Sequence, residues 1–123
     1  MKVMIPLLSK KENDLEFIEQ ALKGAKEVVL LVVVDNSIAE SDFGFALKQM
    51  AQANALLAEV KGIVGAKRKK ATDILEWGNT AGKIANISKL REIDKVVLQM
   101  QKGKKFDELL AALKKEKIKY EVI

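Results

Sequence analysis

The chain has 123 residues, 49% of them hydrophobic, and its 22 Lys and Arg outnumber 17 Asp and Glu for a net charge of +5. That length supports a single domain over residues 1–123 with a sizeable buried core, and leaves no room for a second. Cysteine and histidine are both absent, which excludes disulfides, thiol nucleophiles and the usual zinc ligands, and removes the side chain that most often moves protons near neutral pH.

The first element is expected at residues 3–8, a continuous apolar run of strand length with Pro6 near its end, where a missing backbone donor does least harm. Asn13 with Glu16 has the spacing of a helix N-cap and capping box. Leu15, Ile18 and Leu22 continue that helix on one apolar face, and Gly24 stops it. Residues 28–34 are all apolar and mostly β-branched, the mark of a central strand buried on both sides.

A long helix is expected from Ser41 to Lys61, with Ala46, Met50, Ala53, Leu57 and Val60 on one stripe, Phe43 beside it, and Gly62 and Gly65 ending it. Residues 66–75 read as an edge strand whose Lys67, Arg68, Lys69 and Lys70 discourage sheet-to-sheet association. Asn79 or Thr80 caps a third helix that turns Ala81, Ile84, Ile87 and Leu90 inward. A strand at 96–100, a helix carrying Phe106, Leu109, Leu110 and Leu113, and a terminal strand at 118–123 complete the chain. Strands alternating with helices imply a doubly wound parallel α/β sheet with helices on both faces, and the pattern alone leaves the strand orders 3-2-1-4-5 and 2-1-3-4-5 open.

The longest apolar run, residues 28–34, is far short of the roughly 20 residues of a membrane helix. A soluble, cytoplasmic protein without membrane association is expected. The charges are mostly interspersed and little aromatic character accompanies the basic run at Lys67, so nucleic acid is not an expected partner.

The opening residues Lys2-Val-Met-Ile-Pro6, the second strand ending in Asp35, the segment Glu76-Trp-Gly-Asn79 before a helix, and Ile93-Asp-Lys-Val-Val-Leu98 together resemble the universal stress protein family over essentially the whole chain. The resemblance implies strand order 3-2-1-4-5 and a homodimer contact through the last strand. It also exposes two departures from the branch of that family that binds ATP. Leu8 stands where that branch has its adenine-contacting acid. The link Gln101-Lys-Gly-Lys-Lys105 replaces its long glycine loop, being too short to wrap a triphosphate. The resemblance therefore implies a non-catalytic, non-ATP-binding interaction or regulatory module in the stress-response class, with no cofactor.

The alternative is a binder of a nucleotide or other phosphorylated small ligand at the switch point between the first and fourth strands. Ser9, Lys10 and Lys11 lie on one side of that point, and Gln101, Lys102, Gly103 and Lys104 on the other, beside the start of the fourth helix. Asp35, Asn36 and Ser37 read as loop caps or as ribose contacts, and Trp77 as a buried anchor or a stacking platform. For assembly, an antiparallel pairing of terminal strands centred on Tyr120 sets Lys119 against Glu121 of a second copy and Ile118 against Val122.

Overall fold

An all-apolar run must be covered on both faces, and the central position of the second strand supplies that cover. The computed structural model describes residues 1–37 and 43–123. In it β2 (Glu27–Val34) lies between β1 (Lys2–Pro6) and β3 (Lys70–Trp77), with β4 (Lys95–Leu98) beyond β1 and β5 (Tyr120–Val122) at the far edge. All pairings are parallel and the order is 3-2-1-4-5. Pro6 is the last residue of β1, and Leu7 resumes donation to the Leu31 carbonyl at 2.9 Å.

Strand alternation divides the core in two. Val3, Ile5, Val28, Leu30 and Val32 pack with α1 (Leu15–Ala21) and α2 (Met50–Ala66) on one face. Met4, Val29, Leu31, Val33 and Val96 pack with α3 (Thr80–Leu90) and α4 (Lys104–Lys115) on the other. Each such side chain is worth about 1.5–3 kcal/mol when withdrawn from water, which is why the sheet tolerates no polar residue in its middle. Among the described residues no helix is long and apolar enough to cross a membrane.

Several boundaries differ from expectation. The first helix is capped by Asp14, whose Oδ1 accepts from the Phe17 amide at 3.1 Å, and not by Asn13. Leu15 and Leu90, expected inward, sit at the first and last helical positions and point to solvent. Strands β1 and β4 stop two residues early, at Pro6 and Leu98, and β5 begins at Tyr120.

The largest correction is the second helix. Its expected start, Ser41, lies outside the described residues, and the α-helix begins at Met50 after a single 3-10 turn at Leu47–Gln49. Phe43 and Phe45 are not on it. Gly44, at φ 72°, breaks helical geometry and donates to the Leu8 carbonyl at 2.7 Å, while Phe45 bridges to Val34 and is fully buried. Covering the end of β2 with an aromatic ring outweighs the helix propensity of these residues.

At its other end α2 runs through Gly62 and Gly65, because Val60 and Val64 keep it packed on the core. A glycine costs a helix only about 0.5–1 kcal/mol, less than the burial of one valine returns. Lys67, Arg68 and Lys69 consequently form the turn after α2, and only Lys70 of that basic run lies on the edge strand β3.

Candidate ligand cleft

The loop after β1 is organised by a residue the sequence reading passed over. Glu12 is 1% exposed, and its Oε2 accepts from the amides of Leu8 at 2.9 Å and Ser9 at 2.8 Å. Such charge-assisted bonds tie the loop back on itself and fix where Ser9 points. Its second oxygen, Oε1, is buried and has no hydrogen-bond partner. The detectable signal was an acid three positions after Ser9 in an otherwise lysine-rich loop.

Across the switch point, Gln99 leaves the end of β4 and joins the two loops. Its Oε1 accepts from the Ser9 hydroxyl, and its Nε2 donates to the Lys11 carbonyl at 3.0 Å. The Ser9 oxygen in turn accepts from the Lys11 amide at 3.1 Å. Gly103 then opens α4 at φ 137°, a conformation that only glycine adopts readily, and no side chain caps the helix there.

These loops enclose an open cleft of about 550 Å³ lined by Ser9, Lys11, Gln99, Met100, Gln101 and Lys102. Of the residues singled out from sequence, it brings together Ser9, Lys11, Gln101 and Lys102. Gln99 and Met100 join them, having been read as strand. Gln101 Oε1 is a second buried acceptor without a partner. Lys10, held at φ 67°, turns away and places its ammonium 5.4 Å from the centre of the Phe45 ring. Gly103 and Lys104 belong to the start of α4 and are not on the cleft wall. Leu8 does not fill the cleft either, since its side chain is 3% exposed and packs in the α3/α4 core.

Asp35 sits elsewhere, at the C-terminal end of β2. Its Oδ2 accepts from the amide and hydroxyl of Thr80, both at 3.0 Å, and its Oδ1 from the amide of Ser37 at 2.9 Å and from the Ser37 hydroxyl at 2.5 Å. Burial pushes this carboxyl up, but the Ser37 and Thr80 hydrogen bonds outweigh it and hold the pKa below the ordinary aspartate value. Asp35 thus joins the loop after β2 to the start of α3. Among the described residues a small depression of about 50 Å³, shared with Thr80, Lys105 and Glu108, adjoins it. Trp77 ends β3 and is 48% exposed, so it does not anchor the core.

No protein-family model and no curated protein matches the sequence. Similarity appears among solved structures. A universal stress protein from Archaeoglobus fulgidus superposes with a TM-score of 0.77 at 12% identity, over 100% of this chain and 93% of that one. A structure of the universal stress protein from Archaeoglobus fulgidus in complex with dAMP gives 0.71 at 12% identity, over 100% and 95%. A protein of the universal stress protein family from Burkholderia pseudomallei gives 0.63 at 10% identity, over 99% and 94%. The chain has the universal stress protein fold.

Proposed function

We propose that this chain is a non-catalytic binding module that takes a small phosphorylated ligand in the cleft between the β1 and β4 loops and works as a regulatory homodimer. The cleft carries the reading. Its volume of about 550 Å³ falls within the roughly 300–1,000 Å³ of small-molecule sites, and it lies where open parallel sheets place their ligands. Lys11 and Lys102 supply positive charge on its two sides, and the neighbouring start of α4 has no side-chain cap. The dAMP carried by a structure of the same fold supports a nucleotide monophosphate as the first compound to try.

The wall residues argue against catalysis. They offer ammonium, amide, hydroxyl and thioether groups but no carboxylate or imidazole to act as a base, and the Ser9 hydroxyl is engaged by Gln99. A triphosphate is disfavoured, because residues 99–103 are all that link β4 to α4 and Leu8 brings no acid to the site. Thermal-shift screening with nucleoside mono-, di- and triphosphates tests the proposal. Stabilisation by a monophosphate is expected, and it should be lost in a Lys11→Ala, Lys102→Ala variant. Absence of any shift with phosphorylated compounds, or saturable Mg-ATP binding tighter than about 100 μM, roughly 5.5 kcal/mol, would overturn it.

The homodimer is supported by the open edge of β5. The Val96 amide donates to the Lys119 carbonyl at 3.0 Å and the Ile123 amide to the Leu98 carbonyl at 2.8 Å. These bonds direct the odd-numbered backbone groups toward β4, and strand alternation leaves those of Tyr120 and Val122 facing outward. A two-fold pairing centred on Tyr120 uses those groups.

A further inference from the structure

A parallel sheet gathers every strand start, and every helix end that feeds one, at a single end of the molecule. That end lies opposite the cleft. Residues 1–2, 23–27, 66–70, 89–95 and 114–121 meet there, and they hold 14 of the 22 Lys and Arg but only five of the 17 acids. The remainder of the chain has more acids than bases. The net charge of +5 thus understates a strong polarity, with the whole of the positive excess on one face. Helix ends favour cations through the macrodipole, which accounts for Lys89, Lys114 and Lys115 in last turns. It does not account for Lys26, Lys69, Lys70 and Lys119, which lie beyond the helices and their caps.

A second observation comes from the backbone. Each of the four helices is followed by one residue at positive φ: Gly24 at 76°, Arg68 at 59°, Glu92 at 54° and Lys117 at 58°. Glycine is the default there, and a residue with a side chain costs about 1–2 kcal/mol. At two of the four positions the chain bears that cost with a cation. The turns are also firmly held, as the Lys69 amide reaches the Val64 carbonyl at 3.4 Å and the Ile118 amide reaches Leu113 at 2.9 Å. Among the described residues, ion pairs engage only Lys89, with Glu116, and Lys95, with Glu121, of the cations on this face.

From this placement we infer that the face at the strand starts binds the phosphate backbone of a nucleic-acid duplex. Five parallel strands span four spacings of about 4.8 Å, or roughly 19 Å, along which a duplex carries about eleven phosphates. The face lacks what other polyanionic partners require. Tyr120, the one aromatic residue in these segments, packs against the α3/α4 core and offers no stacking platform for single strands. Leu90 and Met1 are the only large exposed apolar side chains there, too few to enter a lipid surface. The sequence showed only the run at Lys67; the fold adds four further segments to it.

Fluorescence anisotropy with a labelled mixed-sequence DNA duplex is the test. At four phosphate contacts, raising salt from 50 to 200 mM should weaken binding about a hundredfold. An Arg68→Gly, Lys117→Gly variant should be at least as stable as wild type, since glycine relaxes both turns. It should nonetheless lower the slope of log affinity against log salt by roughly 1.8. No binding at 50 mM salt, an unchanged slope in the variant, or capture by phosphatidylserine vesicles without duplex binding would overturn the inference.

Discussion

Asp35 shows how one carboxylate joins two segments 45 positions apart, Val34 to Ser37 and the first turn of α3. Its lowered pKa means that it stabilises the fold at neutral pH and loses that contribution as pH falls through its folded value. Asp35→Asn keeps the shape but turns an amide NH₂ toward groups that are themselves donors. We expect it to cost about 1–3 kcal/mol at pH 7, measured by urea denaturation, with the gap to wild type closing as pH falls below the ordinary aspartate range, through the lowered folded value. A gap independent of pH would mean that the charge is not what stabilises the loop. Ser37, two positions on, is a local loop contact of the kind the sequence suggests, but Thr80 is not recognisable as a partner, because a periodic pattern reports which face a residue occupies and not which distant loop meets it.

At the scale of elements, α2 is the informative case. Its two glycines were read as a stop signal, yet both are exposed and inside the helix, and a Cβ at either would meet no atom within 4 Å. Gly62→Ala and Gly65→Ala are therefore each expected to stabilise by about 0.5–1 kcal/mol, read as a rise in thermal midpoint. Destabilisation by either would show that the helix is held differently. The same element explains the misplaced basic strand, since five more helical residues, 62–66, push Lys67, Arg68 and Lys69 into the turn. By contrast, β2 needed no correction beyond one residue, because seven consecutive apolar positions admit only a strand with both faces covered.

For the whole molecule, the sheet has two open edges, and the shorter, β5, is the proposed two-fold contact. Glu121 already pairs with Lys95 of its own chain at 2.7 Å, so across the two-fold it would be shared between Lys95 and Lys119 of the second copy. Lys119→Glu places a carboxylate opposite Glu121 at both ends of the ladder. At about 0.2–1 kcal/mol for each like-charge pair, dimerisation should weaken roughly two- to thirtyfold. Sedimentation equilibrium reads this directly, and a monomeric wild type at tens of micromolar, or an unaffected variant, would refute the contact.

What the sequence determined by itself is what hydrophobic periodicity carries: alternating strands and helices, a buried second strand, two-sided helix cover, and a chain without thiol or imidazole chemistry. Strand order came from resemblance, since two orders satisfy the same pattern. Tertiary structure decided the rest. Gln99 meets Ser9 across 90 positions, Glu12 folds under the loop it stabilises, and Phe45 caps β2 where a helix was expected. Lysines that look dispersed along the chain converge at one end. Periodicity is a local record of burial, whereas polar contacts and charge fields depend on which segments the sheet order brings together.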